Sequence, residues 1–150
     1  MIKAYCYILT IGAVGLKRAS ELAVLNANYI RESLKEVLHL PYDRPCMHEC
    51  VFSDKWQRPY KVGTLDIAKR LVDYGYHPPT IYFPLVVNGA IVVEPTETEF
   101  KEEIDGFIGS IKAIVKEAEE NPQLLYDAPH NTKARRLDEV RAASKPCLTG

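Results

Sequence analysis

Residues 63–99 read GTLDIAKRLVDYGYHPPTIYFPLVVNGAIVVEPTETE and decide the fold of this chain. The first part predicts a helix, because Thr64 can cap its N-terminus and Gly75 can adopt the left-handed conformation that ends it. Asp66 falls in the first turn, where the helix dipole favours an anion. Apolar residues at three- and four-residue steps predict one buried face, formed by Ile67, Ala68, Leu71 and Val72.

The middle of the stretch predicts a rigid loop followed by a hairpin. His77 precedes two prolines, which cannot continue a helix, so the loop is stiff and leads to Thr80 in the next strand. Within residues 81–94, Asn88-Gly89 separates two apolar runs, which is the pattern of a tight hairpin with a type I′ turn. Pro84 has no N–H donor, so it predicts an edge strand or a bulge in the first run.

The end of the stretch predicts a second helix. Thr96 and Glu99 have the spacing of a capping box, in which each side chain bonds the backbone N–H of the other residue. Apolar residues follow at helical spacing as far as Val115, and Asn121-Pro122 would end the helix. The carboxylates of Glu97 and Glu99 complement the dipole of this helix, which is a simpler role for them than acid–base chemistry.

The sequence before this stretch adds helices and one strand. Residues 3–11 predict a helix that breaks at Gly12 and Gly15, and a long amphipathic helix begins near Leu16. Residues 47–53 predict a short strand.

These elements predict an α+β, or mixed α/β, fold in which a small sheet with a hairpin packs against helices. We expect residues 1–40 to form a helical lead-in and residues 41–120 to form a small α/β domain. Residues 121–150 should form a polar tail with a short helix around residues 135–143. At 150 residues the chain is long enough for one domain with a hydrophobic core.

Composition excludes several classes of function. Hydrophobic residues make up 47% and charged residues 26% of the chain, which is typical of a folded globular domain. The formal net charge of -1 provides no basic field for nucleic acid, and no apolar run reaches the ~18 residues of a membrane span. The four cysteines form no CxxC pair, so we expect reduced thiols in a cytoplasmic protein.

No local motif supplies a complete catalytic centre. Cys46, His48 and Cys50 are residue types that bind zinc, but a second ligand cluster is missing. Cys50 could act as a nucleophile, but a cysteine in a strand is more commonly a small buried hydrophobic residue. His48 is either an exposed strand-edge residue beside Glu49 or a group in a cleft. His77 is either a loop histidine bonded to a nearby carbonyl or a ligand-binding group held by a rigid loop.

Five blocks of the sequence resemble one family, in the same order. They are LKRASELAVLNANYI (16–30), MHECV (47–51), TLDIAKRLVDYGYHPPTIYFPL (64–85), EPTETEFKEEID (94–105) and APHNTKARRLDE (128–139). Together they are similar to the C-terminal region of the glycine-cleavage P-protein, which is the end of subunit 2 in the two-subunit form of that enzyme. YGYHPPT and EPTE carry the most specific part of the resemblance.

The resemblance implies the small C-terminal domain of a fold-type-I enzyme that depends on pyridoxal 5′-phosphate. The family decarboxylates glycine and transfers the aminomethyl group to the lipoyl arm of the H-protein. The family's cofactor lysine follows a histidine, and no His-Lys pair occurs here. We therefore expect no catalytic, cofactor-binding or metal-binding residue in this chain. We also expect no cofactor on the chain alone and no activity without the rest of the enzyme.

The implied role is to cover the cofactor cleft and to shape the access of the lipoyl arm. Four residues are proposed to line that cleft: His48, His77, Thr80 and Thr96. The implied partners are the large pyridoxal-phosphate domain or subunit 1, the lipoylated H-protein and, in the complete enzyme, glycine.

The isolated chain would expose apolar helix surface, so we expect it to dimerise or to bind another partner. The alternative function is a non-catalytic module that docks the H-protein or another P-protein subunit. The resemblance implies that the chain works in the cytoplasm, or in the mitochondrion of a eukaryote, whichever of the two functions it has.

Overall fold

The computed structural model describes residues 1–146. Within that range it contains five α-helices, a three-stranded sheet and two short 3₁₀ helices, which confirms the predicted α+β class. The elements are α1 (Ile2–Leu34), β1 (Cys50–Ser53), the 3₁₀ helices Asp54–Trp56 and Arg58–Tyr60, α2 (Thr64–Asp73), β2 (Thr80–Ile81), β3 (Ala90–Val93), α3 (Lys101–Glu120), α4 (Gln123–Tyr126) and α5 (Glu139–Ser144). No helix in the described part is both long and apolar enough to cross a membrane.

The antiparallel sheet has the strand order β1-β3-β2, so β3 is its central strand. All four residues of β3 are buried, as expected for a short continuous apolar run. Helices pack against the sheet and share one hydrophobic core with it. The fully buried large side chains of this core include Leu34, Phe52, Leu71, Ile91 and Ile111.

Helix α1 is kinked at Gly12, where φ is 61° and the chain leaves the helical conformation. A positive φ favours glycine because glycine has no Cβ. The predicted break at Gly12 is confirmed, whereas the predicted break at Gly15 is wrong because the helix is continuous there. The last turns of α1 are buried and contact β1 and α3, while the residues before the kink are largely exposed.

Strands β2 and β3 form an antiparallel hairpin whose connection differs from the prediction. Only the two residues of β2 pair with β3, and residues 82–89 form a long loop. The prediction of a tight turn at Asn88-Gly89 is wrong, because Pro84 has no N–H to extend the ladder and Gly89 bonds elsewhere. The Gly89 carbonyl accepts hydrogen bonds from Asp54 N at 3.1 Å and from Thr64 Oγ1 at 2.8 Å.

The start of α2 also differs from the prediction. The helix begins after Gly63, whose N–H donates to the Asp66 carboxylate at 2.8 Å. Thr64 is not the cap but lies inside the first turn, because its buried hydroxyl bonds the carbonyl of Gly89 instead. The predicted end of α2 is confirmed, with Gly75 at a φ of 84° directly after the C-cap.

Helix α3 begins at Lys101, and the predicted capping box of Thr96 and Glu99 is wrong. The Thr96 hydroxyl lies 2.7 Å from the hydroxyl of Thr98, in a segment that precedes the helix. Two glutamates still place negative charge in the first turn of α3, where the dipole favours it. The helix ends directly before Asn121, as predicted.

The segment after α3 folds back onto α2. The Asp73 carboxylate accepts hydrogen bonds from the backbone N–H groups of His130 (2.6 Å) and Asn131 (2.8 Å). Arg136 lies 2.6 Å from the Asp66 carboxylate and also donates to two carbonyl oxygens of α4. The predicted short helix near the C-terminus is present as α5, a few residues later than expected.

Candidate functional site

An open cleft of about 610 Å³ lies between the β2 side of the sheet and α3. We call it the β2–α3 cleft. Its walls come from the loop after α2, the end of β3 and the first turns of α3. The side chains that carry its chemistry are Tyr76, His77, Thr80, Glu94, Glu99, Glu103 and Phe107.

The loop after α2 holds the His77 imidazole at one wall of the cleft. Its Nδ1 lies 2.8 Å from the Pro78 carbonyl oxygen, and because a carbonyl only accepts, Nδ1 carries the proton. In the neutral ring Nε2 is then the acceptor. Of the two alternatives for His77, the hydrogen bond to a nearby carbonyl is therefore present. The ring is exposed, so Nε2 remains available to a ligand.

Aromatic rings make this part of the cleft rigid. Tyr76 and Phe107 pack edge to face, with their ring centroids 5.6 Å apart. The Tyr76 hydroxyl donates to the Glu103 carbonyl at 3.4 Å, and burial raises the pKa of Tyr76, so the hydroxyl stays protonated at neutral pH. Gly106 allows this contact, because a Cβ there would overlap the Tyr76 hydroxyl.

The β2–α3 cleft carries negative charge. Glu94, Glu99 and Glu103 line it, and its lining contains no lysine or arginine from the described residues. Such a surface attracts cationic groups and repels a phosphate dianion.

The structure brings two of the four predicted cleft residues, His77 and Thr80, into the β2–α3 cleft. His48 lies in a neighbouring pocket between the end of α1 and β1, which we call the α1–β1 pocket. Its Nε2 is 3.6 Å from Oε1 of Glu94, so the two pockets meet at this pair. Thr96 is exposed and lines neither pocket, and its proposed contact with a ligand stays a prediction.

Cys46 and Cys50 are not placed for nucleophilic chemistry. Cys50 is buried in β1, with its thiol 3.7 Å from the Val93 carbonyl oxygen. Burial raises the pKa of Cys50 far above its ordinary value and also raises the pKa of Cys46. A thiolate is therefore disfavoured at both positions, which argues against a nucleophile. Within residues 1–146 no three His, Cys, Asp or Glu side chains are grouped to hold a metal, so the zinc alternative has no support.

Sequence reasoning missed a polar cluster around Asp54. The buried Asp54 carboxylate accepts hydrogen bonds from Arg58 Nε (2.8 Å) and from the backbone N–H of Thr64 (3.1 Å). Arg58 also donates to the side chain of Asn88 at 2.7 Å. The cluster ties the 82–89 loop to the start of α2 and so fixes the two strands that carry the cleft residues. The four-residue spacing of Asp54 and Arg58 is the signal that could have revealed it.

Comparison with known proteins assigns the family. The family described as glycine dehydrogenase, C-terminal domain, matches residues 19–135. The chain belongs to this family. The probable glycine dehydrogenase (decarboxylating) subunit 2 of Caldanaerobacter subterraneus subsp. tengcongensis is 61% identical over 148 residues, which cover 99% of this chain and 30% of the relative.

Other glycine dehydrogenase relatives agree with this assignment. The protein of the same description from Oceanobacillus iheyensis is 57% identical and covers 98% of this chain and 30% of its own length. The one from Thermotoga petrophila is 55% identical, and the match covers 97% of this chain and 31% of the relative. The resemblance predicted from the sequence blocks is confirmed, and the chain spans about 30% of the length of the curated relatives it matches.

The described part of this glycine dehydrogenase domain does not itself fit pyridoxal phosphate. That cofactor needs a lysine for covalent attachment and N–H donors or cations for its phosphate. The β2–α3 cleft presents three carboxylates, and neither this cleft nor the α1–β1 pocket is lined by a lysine from residues 1–146. No step of the cofactor's chemistry can therefore be assigned to these residues.

Proposed function

We propose that this chain works as the C-terminal domain of a glycine decarboxylase, which passes the aminomethyl group of glycine to a lipoylated H-protein. The observation that supports this most is the 61% identity to a glycine dehydrogenase (decarboxylating) subunit 2 across 99% of the chain. The relative is much longer, and only 30% of it is covered. Pyridoxal phosphate and its lysine would be supplied by the part of the enzyme that this chain does not match.

In this proposal the β2–α3 cleft forms one side of the route to the cofactor. His77 and Thr80 present polar groups on a stiff wall, so little conformational entropy is lost when a substrate or a lipoyl arm touches them. The carboxylates of the cleft suit the ammonium group of glycine and would keep the cofactor's phosphate at a distance. His48 would extend this wall beyond Glu94, and Thr96 would lie at its rim.

The residues of α1 before and just after the Gly12 kink supply a surface for the rest of the enzyme. Tyr5 and Leu9 are each 65% exposed and Val14 is 84% exposed. Clustered apolar side chains of this kind usually mark an interaction surface. We assign this surface to the large domain of the same enzyme or to its partner subunit, working in the cytoplasm.

The proposal is tested by restoring activity from separate pieces. The part of the Caldanaerobacter relative outside its match to this chain is produced alone and mixed with subunit 1 and lipoylated H-protein. Glycine-dependent exchange of carbon dioxide is then measured with and without this chain. We expect a gain on the order of tenfold or more, since a misplaced wall of an active site costs up to ~10²-fold in rate. Equal rates with and without the chain would refute the proposal.

Variants of the chain test the cleft in the same mixture. His77→Ala and Thr80→Val should lower the exchange rate, whereas Lys112→Ala, on an exposed part of α3, should not. Titration of lipoylated H-protein onto the isolated chain addresses the binding-module alternative. Tight binding without any gain in exchange would favour that alternative over the enzyme domain.

A further inference from the structure

Arg31 is a buried cation near the end of α1, with its side chain only 8% exposed. Its Nη1 donates to Asp43 at 2.9 Å and its Nη2 pairs with Glu32. Its Nε has no hydrogen-bond partner among the described residues. An unpaired buried donor on a charged group is costly, so the site suits a partner with a further acceptor oxygen.

Arg31 is one of the residues that line the α1–β1 pocket, which has a volume of about 510 Å³. Arg44 and His48, from the segment that crosses the end of α1, line the same pocket, and Glu49 is its one acidic lining residue within residues 1–146. The two cysteine thiols of the lining are uncharged, because burial raises the pKa of each. The charge of the lining is therefore opposite to that of the β2–α3 cleft.

The two carboxylates that now hold Arg31 are replaceable. The Asp43 side chain is 71% exposed and the Glu32 side chain is 49% exposed, so both can turn into solvent. Glu32 also lies 2.7 Å from Lys35 Nζ, so it retains an ion pair with Lys35 when its ion pair with Arg31 is broken. On a guanidinium, Nε and the adjacent Nη2 form an edge that can bind both oxygens of one oxyanion. On this edge of Arg31, the buried Nε has no hydrogen-bond partner among the described residues, and Nη2 is paired with the half-exposed Glu32.

We propose that the α1–β1 pocket binds a small oxyanion, a carboxylate or a phosphate, on the Nε–Nη2 edge of Arg31. Arg44 is the second cation of the site, and Asp43 is an internal competitor for the same guanidinium. The site rests on the burial and the bonding of Arg31, and it stands whether or not the chain serves a glycine decarboxylase.

The probes are inorganic phosphate and succinate, titrated separately into the full 150-residue chain. Calorimetry gives the affinity and ¹H–¹⁵N NMR gives the location, with sodium chloride at equal ionic strength as the reference. Binding should saturate above the chloride background and shift the amide signals of Arg31 and of residues 42–51. Comparison of the two probes distinguishes a phosphate ligand from a carboxylate ligand.

Two substitutions with opposite expected effects test the assignment. Arg44→Gln should weaken binding about tenfold, as for the loss of one charge-assisted hydrogen bond. Asp43→Asn should tighten it about fivefold, because a competing charge is removed while the side-chain volume is kept. Arg18→Gln, at an exposed position earlier in α1, is the matched control and should leave the affinity unchanged. Thermal unfolding verifies that each variant is folded.

Saturable binding of either probe with both variant effects supports the site. The proposal is overturned when neither probe saturates. It is also overturned when Arg44→Gln and Asp43→Asn bind as the unsubstituted chain does, since Arg31 Nε would then be served by water alone.

Discussion

At the scale of the single residue, Gly89 leaves no room for a side chain. A Cβ there would overlap the buried Asp54 carboxylate, and φ is +68°. Gly89→Ala should therefore lower the free energy of unfolding by about 2–4 kcal/mol, because a steric clash adds to a left-handed backbone. Gly109→Ala, exposed in α3 with nothing within 4 Å, should instead raise it by up to ~1 kcal/mol. Urea denaturation measures both values, and equal losses in the two variants would contradict this account.

Asp73 couples stability to pH. Burial alone would raise the pKa of its carboxyl, but hydrogen bonds from the N–H groups of Asn131 and His130, together with Arg70, outweigh burial and lower it. A lowered pKa contributes stability that is present above the unfolded value of about 3.9 and is lost as pH falls through the folded value. Acid below about pH 4 should therefore loosen residues 130–136 from α2.

Asp73→Asn tests this coupling. The variant should lose about 1–3 kcal/mol of unfolding free energy at pH 7, because a buried charge-assisted set of hydrogen bonds is weakened. It should also show a flatter fall in stability between pH 5 and pH 3 than the unsubstituted chain. Asp127→Asn changes an exposed carboxylate bonded to Gln123 and should keep the original slope. Urea titrations across this pH range give the slopes, and an unchanged slope in Asp73→Asn would exclude the assigned role.

At the scale of the element, the long helices and the C-terminal ends of α2 and α3 are predictable from the sequence, whereas the starts of α2 and α3 are not. Apolar residues repeat over many positions in α2 and α3, so a single misjudged residue does not hide the pattern. The start of a helix or a tight turn depends on one or two hydrogen bonds, for which a distant group can compete. Thr64 bonds Gly89 instead of capping α2, and Gly89 also accepts from Asp54 instead of closing a two-residue turn. Rules that consider only residues close together in the sequence cannot predict hydrogen bonds to such distant partners.

Helix α4 and the segment after it are held on α2 by Arg136. It lies 2.6 Å from Asp66 and donates to the Tyr126 carbonyl at 2.8 Å. Arg136→Gln should make local opening easier by about 1–2 kcal/mol, because an ion pair and a carbonyl bond are lost together. Hydrogen–deuterium exchange of residues 128–131 should rise accordingly. Arg135→Gln, at the exposed neighbouring position, is the control, and equal exchange in the two variants would count against the clamp.

At the scale of the whole molecule, the first half of α1 is the surface through which we expect the isolated chain to associate. Its apolar side chains are exposed, so we expect the isolated chain to dimerise through residues 2–16. Leu9→Ser should raise the dimer dissociation constant about tenfold, as expected for removal of one buried leucine from an interface. Leu25, 62% exposed beyond the kink, provides the control variant Leu25→Ser. Sedimentation velocity over a wide concentration range measures the dimer, and a monomer throughout would refute the expectation.

The candidate site was predictable only where its residues are neighbours in sequence. His77 lies in a stiff loop and Thr80 begins the strand that directly follows it, so the sequence places them together before any packing is known. Glu94 joins them only because β2 pairs with β3. Arg31 resembles any charged residue of a helix surface, and its burial results from the segment that folds over the end of α1. That contact depends on the whole fold and has no local pattern.

The bonds between Asp73 and the segment after α4 also determine when the domain can form during synthesis. The N–H groups that bind this carboxylate belong to residues translated 57 and 58 positions later. A nascent chain that has reached only the end of α3 therefore has its Asp73 carboxylate beside Arg70 but without those two donors. Sheet and helices can assemble earlier, yet the final increment of stability arrives only after Asn131 has emerged from the ribosome.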